Sequence, residues 1–336
     1  MRYTKISGTG TYVPPRVVTN EDLAGWMETS DEWIRQRTGI EQRHWVPEQG
    51  GVGASDLALE AARRAMERSG WTAADIDLII FATLSPDIFF PGSGCFLQHK
   101  LGLTATPALD IRQQCTGFLY GLVTADAYIR SGTARRILLA GAEVHSTGLD
   151  ITTRGRDTAA IFGDGAGVVC VEAAEEDARA GILGASLHAD GGMAESLMLE
   201  GPASRRRPRI DELMLAEGRH YPHMDGQKIF KTAVRLLPKV AGEALQQAGV
   251  SVEAVDLFIP HQANLRINQA FARAMNLPEE KVFHNIQRYG NTTAASIPIA
   301  LDEALEKGLL GPGQTVMFLG LGSGLTWGAV LYRFPE

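Results

Sequence analysis

The chain contains one α/β unit twice, and this duplication constrains the fold more than any other feature of the sequence. Residues 57–83 and 231–262 each read as an amphipathic helix closed by a glycine, then a short turn, then a buried strand. Residues 109–143 and 284–322 each read as strand, turn, helix, glycine-rich turn and strand. Chance could produce one such match, but the same order throughout predicts two copies of a βα unit in an α/β protein.

The last strand of each copy sets the expected boundary between the two halves. Residues 162–171 and 319–332 each carry a Gly-x-Gly-x-Gly pattern followed by residues typical of strands. We therefore expect an N-terminal half over residues 1–175 and a C-terminal half over residues 176–336. Residues 191–225 have no counterpart in the first half, so they form an insertion, which is either a lid or pocket wall or a surface decoration.

The composition excludes several classes of protein. The 336 residues carry a formal net charge of −7, so we expect no overall basic surface for nucleic acid. Three cysteines without CxxC spacing argue against a disulfide framework, and His220 and His223 lack further ligands, so we expect no metal site. Neither an apolar leader nor a bilayer-spanning run is present, which predicts a cytoplasmic protein that does not bind membranes.

Three reactive or polar side chains stand at the strand ends of the duplicated unit. Cys115 lies on the strand-to-helix turn of the first copy, Asn291 lies near the same turn of the second, and His261 ends another strand of the second copy. Ligands bind outside the carboxyl ends of strands in open α/β sheets, so pseudo-twofold packing of the halves would bring these residues together. Taken singly, each has a structural interpretation, since a lone cysteine is most often a core residue. Their joint position favours a Cys-His-Asn site.

Each of the three residue types suits a step of acyl chemistry. At a helix N-terminus, Cys115 would face the positive end of the helix dipole, which stabilises a thiolate nucleophile. His261 can exchange a proton or donate a hydrogen bond near neutral pH. Asn291 offers an N–H donor that does not titrate, which suits a developing oxyanion or enolate.

The chain resembles β-ketoacyl-acyl carrier protein synthase III, the initiating condensing enzyme of type II fatty acid synthesis. Six stretches that together span most of the sequence carry the resemblance: TSDEWIRQRTGI (29–40), DIRQQCTGF (110–118), IFGDGAG (161–167), HQANLRI (261–267), GNTTAASIP (290–298) and GSGLTWG (322–328). True thiolases have a second catalytic cysteine near the C-terminus, where this chain reads GLGSG. The resemblance implies a thiolase-like α/β fold, with two pseudo-symmetric halves in a five-layered αβαβα arrangement, and a homodimer.

The resemblance also implies the reaction. Cys115 would take an acyl group from acyl-CoA, and malonyl-acyl carrier protein would then bind and decarboxylate. His261 and Asn291 would stabilise the thioester enolate, whose attack on the acyl-cysteine releases β-ketoacyl-acyl carrier protein. The backbone N–H groups of Cys115 and Ser323 would form the oxyanion hole, and no cofactor is required besides the two substrates.

Binding residues follow from the resemblance by position. Trp33 and Arg154 would flank the CoA adenine, Arg37 would reach the phosphates, and Phe90 would close the acyl pocket of the partner subunit. The full set assigned to CoA is Trp33, Arg37, Arg154, Gly226, Phe230 and Asn264. The set assigned to the acidic acyl carrier protein is Gln262, Arg266, Lys231 and Arg273.

Alternatives to this function remain within the same class and outside it. Residues 111–114 before the nucleophile, Ser323 in the position of a glycine, and the long insertion leave the starter acyl group open. A condensing enzyme of secondary metabolism, of the quinolone or polyketide-starter type, shares most of the motifs. A papain-type hydrolase would require Cys-Gly-Ser-Cys-Trp around its cysteine. A catalytically silent thiolase-fold binding protein would be expected to lose Cys115, His261 or Asn291.

Overall fold

The computed structural model describes residues 2–174 and 180–336, so the boundary expected between residues 175 and 176 lies outside the described residues. The strands, in chain order, are β1 (Tyr3–Tyr12), β2 (Arg16–Thr19), β3 (Gln42–Trp45), β4 (Leu78–Ala82), β5 (Ala108–Ile111), β6 (Arg136–Glu143), β7 (Gly165–Ala174), β8 (Gly181–Ala189), β9 (Leu197–Leu199), β10 (Pro222–Met224), β11 (Leu257–Pro260), β12 (Thr315–Gly322) and β13 (Thr326–Arg333). The helices are α1 (Asn20–Trp26), α2 (Asp31–Thr38), α3 (Ala54–Ser69), α4 (Ser93–Lys100), α5 (Gly117–Ser131), α6 (Arg156–Ala159), α7 (Glu212–Glu217), α8 (Gly226–Ala248), α9 (Leu265–Ala274), α10 (Ile286–Tyr289) and α11 (Ser296–Glu306).

Two sheets repeat one strand order, as the duplication predicts. The first sheet runs β1-β7-β6-β4-β5, in which β6, β4 and β5 are parallel and β7 is antiparallel to both of its neighbours. The second runs β8-β13-β12-β11 with the same sequence of parallel and antiparallel pairs. The counterpart of β5 in the second half is reduced to a single parallel bridge between Phe258 and Val282.

The helices and the two sheets form five layers, which pack on one another through three hydrophobic cores. Helices α5 and α11 lie between the two sheets, where Phe118, Leu122, Ile297 and Leu301 are buried. Helix α3 packs on the outer face of the first sheet, and α8 and α9 pack on the outer face of the second. The order is therefore αβαβα, which confirms the predicted arrangement of two pseudo-symmetric halves. The division of the chain at residue 175 stays a prediction.

Glycines end the equivalent outer helices in the way the sequence predicts. Gly70 after α3 has a φ of 70° and Gly249 after α8 has a φ of 67°, both in the left-handed region that residues with a Cβ avoid. After each glycine the chain makes one short 3₁₀ turn and then enters a fully buried strand, β4 or β11. These caps fix where the helices stop and so where the next strand begins.

The insertion over residues 191–225 contains β9, α7 and β10, and its two strands pair with each other. It packs against the residue that follows β12, because the Ser323 hydroxyl donates to the Leu197 carbonyl at the start of β9. Arg154 also donates to the Ala216 carbonyl of α7. None of the helices in the described part of the chain is both long and apolar enough to cross a membrane.

Candidate active site

The nucleophile candidate lies on a turn that the fold contains twice. Cys115 belongs to a 3₁₀ turn between β5 and α5, and its preceding residue, Gln114, has a φ of 45°. In the second half, Thr293 has a φ of 49° in the matching turn before α11. Ala294 is therefore the positional equivalent of Cys115, and Asn291 lies three residues earlier in the chain. Left-handed backbone at residues with a side chain is costly, so both turns are held by their surroundings.

The end of β12 brings this turn close to His261. A Cβ added at Gly322 would lie 2.9 Å from both the Cβ and the backbone nitrogen of Cys115. A Cβ added at Gly320 would lie 3.1 Å from the Cβ of His261. Only glycine allows the strand to pass so near both residues, which explains the alternating glycines that the sequence shows here.

The environment of Cys115 keeps it a thiol at rest. Burial, and to a smaller extent the charge of Glu143, raise the pKa of Cys115 to about 12. The backbone N–H groups of Ser323 and of Cys115 itself act in the opposite direction by hydrogen bonding to the sulfur. The expected thiolate stabilised by a helix dipole is therefore not the resting state, because burial outweighs these donors.

His261 is held as a neutral ring with one nitrogen unused by the protein. Its Nδ1 lies 2.6 Å from Ser296 Oγ, and that oxygen also accepts from the Gln262 N–H at 3.4 Å. The Ser296 hydroxyl can donate its own hydrogen to Nδ1, and the tautomer in which it does so carries the ring proton on Nε2. Burial lowers the pKa of His261 to about 3, and Nε2 is buried without a hydrogen-bond partner in the described residues.

Asn291 is buried and fixed by its neighbours. Its Oδ1 accepts from the Thr293 N–H at 2.8 Å, so Nδ2 is the end of the amide that can serve a ligand. Its backbone pairs with the Ile161 carbonyl and the Gly163 N–H at 2.9 and 3.0 Å. The Gly-rich segment of the first half thus anchors the polar turn of the second half.

The tryptophan expected to stack on a nucleotide lies beside a different arginine from the one predicted. Trp33 lies on α2 with the Arg37 guanidinium 4.4 Å from its ring centre and the Arg156 guanidinium at 5.0 Å. Arg154 instead binds the Asp150 carboxylate at 2.6 Å. The assignment of Arg154 beside Trp33 was wrong, because two arginines stand two residues apart and the turn before α6 directs only Arg156 towards the tryptophan.

Residues assigned to the pantetheine arm line the start of α8 and α9. Gly226 is exposed as the first residue of α8, and the Phe230 ring lies 5.3 Å from the Arg266 guanidinium. Asn264 caps α9 by accepting from the Arg266 N–H at 2.9 Å, and it donates to the Arg37 carbonyl at 2.9 Å. Its amide therefore keeps one N–H for a ligand, not the whole group.

The predicted docking residues separate into an exposed group and a buried one. Lys231, Arg266 and Arg273 are exposed, and the seven-residue spacing of the two arginines puts them on one face of α9. Gln262 is 1% exposed, and its amide nitrogen donates to the carbonyls of Pro260 and Phe283. The assignment of Gln262 to carrier-protein docking was therefore wrong, since a side chain satisfied inside the protein cannot meet a partner.

Phe90 is not buried within its own chain. It is 76% exposed in the loop between β4 and α4, where its one ring contact among the described residues is with Phe89, edge-on at 6.3 Å. The neighbouring strand β5 pairs only with β4 among the described strands, so its other edge is unpaired. The same described residues contain no group of three or more side chains placed to hold a metal ion.

Two sheets of one strand order in a five-layered arrangement, with a buried cysteine turn between the halves, are typical of thiolase-like condensing enzymes. Two family models match: 3-oxoacyl-acyl-carrier-protein (ACP) synthase III over residues 109–191, and the C-terminal model of the same family over residues 245–334. The chain belongs to the 3-oxoacyl-acyl-carrier-protein synthase III family of acyltransferases.

Solved structures of relatives agree over nearly the full length. The 3-oxoacyl-acyl-carrier-protein synthase III of Aquifex aeolicus VF5 is 43% identical and has a TM-score of 0.89, with 98% of this chain and 100% of that chain covered. The Thermus thermophilus enzyme is 38% identical with a TM-score of 0.90 and coverages of 98% and 99%. A priming β-ketosynthase from a polyketide biosynthetic pathway is 30% identical with a TM-score of 0.89 and coverages of 100% and 97%.

Proposed function

We propose that this protein condenses an acyl-CoA starter with malonyl-acyl carrier protein, giving β-ketoacyl-acyl carrier protein, CoA and CO₂, and so initiates type II fatty acid synthesis in the cytoplasm. The observation that supports the proposal is the state of three buried groups. They are a thiol with two backbone N–H donors, a neutral imidazole whose Nε2 has no hydrogen-bond partner among the described residues, and an amide fixed by its own oxygen. No metal or further cofactor enters the reaction.

The first half-reaction exchanges one thioester for another. The Cys115 sulfur bonds to the acyl carbonyl carbon, the carbon–sulfur bond to CoA breaks, and the thiol proton ends on the CoA sulfur. The backbone N–H groups of Cys115 and Ser323 stabilise the oxyanion that forms in between. Trp33, Arg37 and Arg156 bind the nucleotide of CoA by stacking and charge.

The second half-reaction needs a hydrogen-bond donor that does not release its proton. Loss of CO₂ from the malonyl group leaves its electron pair in a thioester enolate, which an imidazolium would protonate and waste. The low pKa of His261 keeps the ring neutral, so Nε2–H and the Asn291 amide can donate to the enolate oxygen. The enolate carbon then bonds to the acyl carbonyl carbon, the carbon–sulfur bond to Cys115 breaks, and a solvent proton returns the released thiolate to the thiol.

Exposed charge and exposed apolar surface support the two protein partners. Lys231, Arg266 and Arg273 form a local basic patch on a chain with a net charge of −7, which suits an acidic carrier protein. The unpaired edge of β5 and the exposed rings of Phe89 and Phe90 suit a homodimer in which β5 continues the sheet of a second copy. Phe90 would then reach the acyl pocket of that copy.

A second candidate is a priming condensation in secondary metabolism. The 30% identity to a polyketide priming β-ketosynthase over the whole chain favours keeping it. Both candidates use the same site and differ in the starter acyl group. Incubation with acyl-CoAs of rising chain length, followed by intact-mass measurement, identifies which starters load.

Variants of the three site residues test the mechanism. We expect Cys115→Ser to abolish acyl loading, whereas Cys95→Ser, which changes an exposed thiol on α4, loads normally. We expect His261→Ala and Asn291→Ala to load the acyl group and to lose decarboxylation of malonyl-acyl carrier protein. Loading of Cys115→Ser, or full condensing activity of either other variant, would refute the assigned roles.

A further inference from the structure

Glu143 is a buried carboxyl group next to the reaction centre that the proposed mechanism does not use. It is the last residue of β6 and has no exposed surface. The one ionisable group within ion-pair distance of it in the described chain is His145, whose Nε2 lies 4.0 Å away. Burial lowers the pKa of His145 to about 3, so this neighbour is neutral and does not balance the carboxylate.

The carboxylate accepts hydrogen bonds from both halves of the protein. The Thr83 hydroxyl donates at 3.0 Å and the Leu84 N–H at 3.2 Å, while Ser85 donates both its N–H at 3.1 Å and its hydroxyl. The Ala294 N–H from the second half donates at 3.4 Å. Ala294 is the positional equivalent of Cys115, so Glu143 joins the strand ends of the first half to the turn that carries the polar residues of the second.

A short chain of contacts leads from this carboxyl group to Asn291. His145 Nε2 is hydrogen bonded to Thr293 Oγ1, and the Thr293 N–H donates to Asn291 Oδ1. Thr293 is the residue with left-handed backbone in this turn, a conformation that requires support from its surroundings. Glu143 and His145 supply that support through their hydrogen bonds to Ala294 and Thr293.

The carboxyl group also acts on Cys115 through its charge. Glu143 is the one charged group that raises the Cys115 pKa, after burial itself. Burial raises the pKa of Glu143 to about 7 against the opposing effect of its hydrogen-bond donors. The carboxyl group therefore gains its negative charge as the pH rises through about 7. His145 beside it and His261 are both neutral at this pH, since burial lowers each pKa to about 3.

We propose that Glu143 is a positioning residue of the condensation, which holds the turn Thr293–Ala295 against the nucleophile turn and whose negative charge adds to burial in disfavouring the thiolate of Cys115. The inference rests on the proposed function only in taking Cys115 as the nucleophile. Alkylation of that thiol needs neither acyl-CoA nor carrier protein, so it tests Glu143 separately from the condensation.

The first test uses the unaltered protein. The rate of iodoacetamide alkylation of Cys115, followed by peptide mass, follows the thiolate fraction and rises tenfold per pH unit for an isolated thiol of high pKa. Ionisation of Glu143 raises the thiol pKa as the pH passes through about 7. We therefore expect a plot of log rate against pH with a reduced slope near pH 7 and unit slope on either side. A straight line of unit slope in this plot, from about pH 5.5 to about pH 9, would overturn the proposal.

Variants separate charge from structure. Glu143→Gln removes the charge, and we expect Cys115 to alkylate about threefold faster or more at pH 8 and at an unchanged rate below pH 6, together with loss of the reduced slope. Ser85→Ala removes a donor to the same carboxylate and retains the charge, so its reduced slope should persist. Glu143→Asp should also keep it, and condensation should fall more in Glu143→Gln than in Glu143→Asp. Identical pH profiles for Glu143→Gln and the unaltered protein would overturn the charge role.

Discussion

Replacing Gly322 with alanine tests whether close contact between β12 and the nucleophile turn is what makes the site work. The added Cβ would lie 2.9 Å from the Cβ and from the backbone nitrogen of Cys115, whereas ordinary van der Waals contact begins at 3.4 Å, so the turn must move by about 0.5 Å. Gly322 does not have the left-handed backbone that favours glycine, so the strain would come from this contact alone.

The size of the effect follows from what the contact holds in place. The added Cβ would clash with the backbone nitrogen of Cys115, and Ser323 is the residue directly after Gly322. Both N–H donors to the oxyanion would therefore shift. Loss of one oxyanion donor lowers kcat by about 10²–10³, or about 3–4 kcal/mol. We expect a loss of acyl loading of that order in Gly322→Ala.

The assay compares acyl loading by intact mass with thermal unfolding of the same samples. Gly242→Ala is the matched control, because its Cβ meets nothing within 4 Å on α8 and alanine in a helix is favoured over glycine by about 0.5–1 kcal/mol. The control should load normally and unfold at the same or a higher temperature. A folded Gly322→Ala protein that loads within twofold of the unaltered rate would refute the contact argument.

Two further predictions concern the substrates. Arg156→Ala should raise the KM for acyl-CoA several-fold, because it removes the guanidinium beside Trp33, while Arg154→Ala should change this KM less. A larger effect of Arg154→Ala in steady-state kinetics would show that Arg154, as first assigned, binds the nucleotide. Arg266→Glu should raise the KM for malonyl-acyl carrier protein and leave that for malonyl-CoA nearly unchanged, and equal effects on both substrates would argue against docking at α9.

The sequence was sufficient for the architecture because periodicity and glycine caps are local signals. The helix ending at Gly70 and the one ending at Gly249 are visible without any structure, and their repetition implies the paired sheets. The same alignment of the two copies predicts the turn that holds Cys115. It does not predict which residue of the second copy is equivalent to Cys115, because only the backbone conformation shows that this residue is Ala294 and not Asn291.

Details that depend on long-range packing could not be predicted. A glutamine after a buried strand resembles a surface residue, yet Gln262 turns inward to satisfy two carbonyl groups. Two arginines in one short loop differ only in direction, which α6 decides. Glu143 carried no sequence signal, since a carboxylate at a strand end is ordinarily solvated. The Cys115 pKa was predicted in the wrong direction because burial cannot be read from a helix N-terminus.

The duplicated turn also bears on how many acyl groups one chain can hold. Two pseudo-equivalent turns each have a left-handed residue before the key position, and the first presents the thiol of Cys115. The second presents the methyl group of Ala294 instead of a thiol. Under the proposed mechanism, each chain would therefore carry one acyl group at a time.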